Sequence, residues 1–155
     1  MTDPRLLRVV FNIYPPYLGA GIHVDEIAPD WRRIRVHMRL RWYNRNYVRT
    51  QFGGSLYAMT DPFFMIMALQ NLGRDYVVWD KAAQIEFVAP GRGSVHALFE
   101  IGEDAIEDMR RHTADGQKYL PWFDVTVRDD DGAEVARVRK QLYVRRKRAG
   151  TTLSG

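Results

Sequence analysis

Two periodicities run along this chain, and the switches between them outline its elements. In residues 4–14, Leu6, Leu7, Val10, Phe11 and Tyr14 recur at helical spacing, and Pro4 suits a first turn. Pro15, Pro16, Gly19 and Gly21 then break the pattern. Residues 22–28 read as a short strand. Over 31–42, Ile34, Val36, Met38, Leu40 and Trp42 point one way, and Arg33, Arg35, His37, Arg39 and Arg41 the other. A period of two over that length predicts a half-buried strand. Residues 53–72 are apolar nearly all round between Pro62 and Leu69, which predicts one long helix enclosed by protein, with Gly73 as its stop.

Strand patterns return at 76–90 and 93–102, joined by a turn at 91–93. Asp104 and Glu107 have capping-box spacing ahead of Ile106 and Met109, so a short surface helix is expected there, ending near Gly116. Two more alternating strands, 119–128 and 134–146, meet in a tight turn at 129–132. The order is helix, two strands, long apolar helix, two strands, short helix, two strands. It predicts a single α+β domain over 1–147, a curved antiparallel sheet wrapped around a central helix, with residues 148–155 as a flexible tail. A sheet curled round one helix leaves edges, and pairing them across a two-fold axis predicts a dimer.

Composition narrows the chemistry. The chain has 155 residues, 46% hydrophobic and 27% charged, which is one soluble globular domain. It has no cysteine, which excludes disulfides, thiolate metal sites and cysteine nucleophiles. Its four histidines are scattered without helical spacing, so no metal site is expected. The N-terminal segment, interrupted by Arg8, does not read as a signal peptide, and Asp61 and Pro62 interrupt the longest apolar run, so no membrane association is expected and a cytoplasmic location is the default. Net charge is +4, which leans toward anionic partners. Nucleic acid is not expected, because 19 acidic residues offset most of the 23 basic ones and no recognition motif occurs. Serine-elbow, Walker and Rossmann signatures are missing as well.

Candidate chemistry lies between Asn46 and Asp61. Gly53 and Gly54 sit where the apolar helix begins, and there backbone N–H groups lack helical partners and the dipole is positive. Glycines let a ligand approach those groups, as in an oxyanion site. Asp61 follows Gly54 by seven residues, about two turns, and its apolar neighbours suit a general base. Structural alternatives stand beside each reading. Asp61 with Pro62 is also a helix start, an N-cap followed by N1. Gly53 and Gly54 also fit a plain turn, and Asn46 a turn residue whose side chain bonds locally.

An Asn, two adjacent glycines and an Asp at these spacings resemble the PaaI-type hotdog-fold acyl-CoA thioesterases, whose pattern is Asn, then His-Gly-Gly, then an acidic residue on the central helix. Asn46, Gly53, Gly54 and Asp61 match it. Residues 85–97 (IEFVAPGRGSVHA) resemble the family's strand-turn-strand, while 79–81 (WDK) and 143–147 (YVRRK) look like the DUF4442 branch. The family His is Phe52 here. The resemblance implies a hotdog fold and thioester hydrolysis. The N–H groups of Gly53 and Gly54 would hold the carbonyl, Asp61 would activate water or attack, and Asn46 would orient. Asp80 would be an auxiliary polar group, and its bland alternative is a surface strand charge. Phe52, Thr50, Lys81, Arg92 and Arg145 would contact substrate, the basic ones meeting coenzyme A phosphates. Coenzyme A enters only as part of the substrate, and no cofactor is implied. A homodimer or a tetramer of dimers is expected. The alternative function is a non-catalytic acyl-CoA or fatty-acyl binding module.

Overall fold

A computed structural model describes residues 2–147, and the expected tail at 148–155 lies outside them. Helix α1 (Pro4–Ile13) starts where the sequence places it, with the Asp3 side chain accepting from Arg5 N–H. The Pro15–Gly21 segment, expected only to break a helix, forms a second short one, α2 (Pro15–Ala20). Proline fits a helix's first turn, so a Pro-Pro pair starts a helix as readily as it ends one.

The strands follow as β1 (Ile22–Ile27) and β2 (Arg33–Met38). Ile34, Val36 and Met38 are buried, as the alternation requires. The strand is shorter than 31–42, however. The Asn44 side chain accepts from Arg41 N–H and donates to the carbonyls of Arg39 and Ala20, which curls the chain off the sheet. Leu40 and Trp42 therefore leave the inner face, and Trp42 is exposed.

The apolar helix is two helices, α3 (Gly53–Ala58) and α4 (Phe63–Leu72). Pro62 has no N–H to donate and its ring clashes with a preceding turn, so the ladder stops there. The Asp61–Pro62 peptide bond is cis. The break is held from outside by the Tyr17 hydroxyl, which donates to the Asp61 carbonyl. Asp61 does not cap α4: Pro62 is the N-cap and no side chain bonds the first turn. Phe63, Phe64, Met67 and Ala68 are fully buried against Ile34, Val36, Phe99 and the inner faces of the later strands.

β3 (Tyr76–Phe87), β4 (Val95–Glu100), α5 (Glu103–His112), β5 (Lys118–Tyr119), β6 (Trp122–Asp129) and β7 (Glu134–Arg146) complete the chain. Helix α5 is capped by Gly102 rather than by the expected Asp104 box. Glu103 and Asp104 lie in its first turn and Arg110 and Arg111 in its last, matching the helix dipole. The 129–132 turn closes on itself, with Asp129 Oδ1 accepting from the N–H groups of Asp131 and Ala133, and Gly132 at φ 83°.

All pairings are antiparallel, in the order β1-β2-β4-β6-β7-β3, with β5 also on β7. The outer strands β1 and β3 are treated differently. Along β1, the Asn12 side chain of α1 accepts from the N–H of Val24 and donates to its carbonyl, and Arg8 donates to the carbonyl of Asp25. β3 spans 12 residues and, among the described residues, has β7 on one side and no strand on the other. No helix among the described residues is long and apolar enough to cross a membrane.

Candidate active site

The site is assembled from β7 and β3 beneath the α3–α4 break. Strand β7 turns Val138, Lys140, Leu142 and Val144 inward, and all four are buried. Lys140 is therefore a charge on the core face, 1% exposed. Its Nζ donates to Asp61 Oδ1 at 2.7 Å and to the Tyr57 hydroxyl at 3.3 Å, and lies 4.9 Å from the Tyr57 ring centroid. Asp80 Oδ1 is 3.6 Å away. One buried ammonium thus stands between two carboxylates, Asp61 with 47% of its side chain exposed and Asp80 with 20%.

A β-bulge puts Asp80 there. In register with β7, Asp80 faces Leu142 while Ala82 faces Gln141, so Lys81 is an extra residue. Had the regular alternation run back from Ala83, opposite Lys140, Lys81 would point inward and Asp80 outward. Bulges re-aim side chains in this way.

The electrostatics follow from burial. Burial pushes the Asp80 carboxyl up to about 6. The Lys140 charge opposes this, and the Asp61 carboxylate reinforces it. Asp80 Oδ1 is itself buried without a hydrogen-bond partner. Burial works against the charge on Lys140, but the hydrogen bond to Asp61 and the charges of Asp80 and Asp61 outweigh it and raise its pKa. Burial, then the Asp61 charge, also pushes the Tyr17 phenol up. That hydroxyl stays a donor, fixing the Asp61 backbone. A cleft of about 460 Å³ opens beside the cluster, lined by Tyr57, Asp80, Lys81, Ala82, Ala83 and Ile85.

The sequence-predicted residues distribute around this centre. Asp61 and Asp80 are brought together, and Lys81 borders the same cleft. Gly53 and Gly54 open α3, whose N-cap Phe52 supplies no side-chain bond. Their lack of side chains makes room for aromatic rings. A Cβ on Gly53 would lie 3.1 Å from the Phe87 ring, and one on Gly54 only 2.5 Å from the Phe52 ring. The Asn46 side chain is used within its own loop, donating to Thr50 Oγ1 and the Gln51 carbonyl and accepting from Thr50 N–H. Thr50 is buried as Asn46's partner. Arg92 lies exposed in the β3–β4 turn, where the Gly91 carbonyl accepts from Gln51 N–H. Arg145 sits five residues beyond Lys140, on the opposite face of β7, and does not join the cluster.

Sequence reasoning missed Lys140, Tyr57 and Tyr17. Lys140 had a signal: it holds an inward position in the alternating segment 134–146. Tyr57 lies four residues before Asp61, one helical turn along. Tyr17 had no local signal, since its contact spans 44 residues of chain.

Solved structures share this architecture. A Pseudomonas aeruginosa protein of unknown function, described as a probable thioesterase, aligns with a TM-score of 0.81 at 15% identity, covering 92% of this chain and 95% of that one. A Haemophilus influenzae thioesterase gives 0.69 at 12% identity over 98% and 96%. The Escherichia coli PaaI protein of the phenylacetic acid degradation operon gives 0.62 at 16% over 95% and 94%. At these identities the likeness speaks for the fold, which is the hotdog fold of PaaI-like thioesterases. No curated protein matches in sequence. A family profile does, over residues 3–144, and the chain belongs to that family, the domain of unknown function DUF4442.

Proposed function

We propose that this protein is a thioesterase acting on an acyl-CoA thioester. The observation that carries the reading is the Asp61–Lys140–Asp80 cluster beside an open cleft; the thioesterase labels of its structural neighbours support it. Asp61 is the base. Its carboxylate takes a proton from water as the water oxygen bonds to the thioester carbon. The carbonyl electrons move onto oxygen, and the uncapped N–H groups of Gly53 and Gly54 receive that oxyanion. Collapse breaks the carbon–sulfur bond. The leaving thiolate takes a proton from Asp80, whose carboxyl titrates near 6 and so still holds a proton in part of the population at neutral pH. The proton on Asp61 returns to Asp80 by way of Lys140, whose ammonium gives one proton to Asp80 as it takes one from Asp61, closing the cycle. Lys140 keeps the two carboxylates in place and offsets their repulsion. The long unpaired edge of β3, which carries Asp80, is the surface for a two-fold partner.

The test is turnover of an acyl-CoA panel by wild type and Asp61→Asn. Wild type should hydrolyse at least one thioester, and the variant should lose about 10²-fold or more in kcat while keeping its circular dichroism spectrum. Equal rates would refute the assignment. A second reading, acyl-CoA binding without turnover, draws on Phe52, whose ring covers Gly54. Measurable affinity with no hydrolysis across the panel would select it.

A further inference from the structure

Away from that cluster, a second cleft of about 330 Å³ opens between the end of α2 and the first two strands, lined by His23, His37, Arg39, Arg41 and Tyr43 among others. His23 and His37 are partners in the β1–β2 ladder, so their side chains share a face, with ring centroids 5.1 Å apart. Arg39 and Arg41 flank them where the chain leaves β2. Arg33 and Arg35 of the same strand pair with Glu26. Arg39 and Arg41 have no carboxylate partner among the described residues.

The two free guanidinium groups are carried on a fixed backbone. Asn44 accepts from Arg41 N–H at 2.6 Å and donates to the carbonyls of Arg39 and Ala20 at 2.8 and 2.9 Å, tying the rim to α2. The surroundings are short of negative charge, because residues 31–60 contain no Asp or Glu. Asp25 is the nearby exception. Its carboxylate is 2.7 Å from His37 Nδ1, which leaves Nε2 of that ring as the unengaged nitrogen. His96, 6.1 Å behind His37 by ring centroid, is engaged by Asp130. The His23 ring holds a proton less readily than usual, through burial first and then through the charge of His37, with Arg8 and Arg39 adding to it and Asp25 opposing. Among the described residues no group of His, Cys, Asp or Glu is arranged to hold a metal ion.

A cleft with imidazoles on its floor and two unpaired guanidinium groups at its rim matches an anion of more than one charge. Guanidinium presents paired donors that fit phosphate oxygens. We propose that this cleft is a phosphate-binding site, for a phosphomonoester or diphosphate group. The inference stands on the cleft alone and does not depend on the thioesterase reading. The same chemistry is met by free phosphate and by the phosphate of a nucleotide.

The experiment titrates the full chain with inorganic phosphate and, separately, with adenosine 3′,5′-bisphosphate, by calorimetry and by NMR of the imidazole resonances. Binding should shift the His23 and His37 resonances. Arg39→Gln with Arg41→Gln should weaken it about tenfold or more, the loss expected from removing charge-assisted hydrogen bonds. Arg111→Gln, on α5 and paired with Asp108, should leave it unchanged. Tighter binding of the bisphosphate identifies a nucleotide phosphate as the ligand, and equal binding identifies free phosphate; both support the site. The proposal is overturned if neither ligand binds, if binding leaves both histidine resonances unmoved, or if the double variant, folded by circular dichroism, binds as wild type does. The NMR readout on wild type decides the matter even should the variant fail to fold.

Discussion

Replacing Lys140 by Met separates the charge of the ammonium from the volume of its stem. Met follows much of the same path between Val138 and Leu142, so the packing change should be small, under about 1.5 kcal/mol. The electrostatic change is larger. Removing one partner of a fully buried ion pair costs about 3–5 kcal/mol, because a buried charge is left alone. Here 47% of the Asp61 side chain is exposed and regains water, while Asp80 is 20% exposed and does not regain as much. Screening of the exposed partner brings the expected loss to about 1–3 kcal/mol at pH 8. The sign with pH follows from Asp80. Its carboxyl titrates near 6 in the fold, above the ordinary carboxylate value, and Lys140 is what lowers it. Without Lys140 it rises further. A group whose folded pKa lies above its unfolded value contributes stability that is complete below the unfolded pKa and is lost as pH rises through the folded one. Lys140→Met should therefore be nearly as stable as wild type at pH 5, where Asp80 is protonated, and fall away steadily to pH 8. Urea unfolding followed by circular dichroism at both pH values, at one protein concentration, measures this. Adding Asp80→Asn should recover most of the pH 8 loss, since the stranded charge is gone. An equal loss at both pH values, with no rescue by Asp80→Asn, would mean that packing alone is at stake and would refute the reasoning.

Other outcomes follow from the same structure. Asp80→Asn alone should stabilise the protein at pH 8 relative to pH 5, by about 1 kcal/mol after discounting for partial exposure, because an uncharged amide replaces a carboxylate that burial disfavours; a pH-independent effect in urea titrations would count against it. In the proposed hydrolase the pH profile of kcat/KM for wild type should bend near pH 6, and this bend should vanish in Asp80→Asn. Gly21→Ala should cost about 1–2 kcal/mol or more in unfolding experiments, since Gly21 caps α2 at φ 75° and an added Cβ would lie 2.5 Å from Asn44 Nδ2. Asn46→Ala should lower stability by about 1–3 kcal/mol, because the buried Thr50 hydroxyl and the Thr50 N–H lose their partner. A variant as stable as wild type would show that the loop does not rely on that side chain.

Much of the fold could be read from the chain. The period-two segments became strands because the inner positions, such as Ile34, Val36 and Met38, had a core to enter. The errors fall where contacts distant in sequence decide. Residues 53–72 carry helical periodicity without interruption except at Asp61 and Pro62. Local preference offered a helix cap as the alternative to a site carboxylate at Asp61, whereas Lys140 and Tyr17, 79 and 44 residues away, claim its side chain and its carbonyl. The candidate site was half legible. Asp61 and Asp80 are ordinary polar residues in recognisable places, but their juxtaposition depends on a bulge at Lys81, which alternation does not mark. Lys140 was visible as a charge on an apolar face. The histidines, 14 and 59 positions apart, are scattered in sequence and adjacent only across strands β1, β2 and β4.

The Asn12 amide on Val24 has a consequence for assembly. A side-chain amide offers one donor and one acceptor in the geometry of a peptide unit, so α1 takes up part of the β1 edge, at Val24 and Asp25, as a further strand would. Among the described residues β3 is then the more open edge, and the sheet has a valence close to one. If two copies pair along β3, as proposed above, growth through backbone pairing would end there, because such a pair would present only β1, partly covered by α1, at each end. A chain with two open edges could propagate into a fibre; one open edge favours a closed pair.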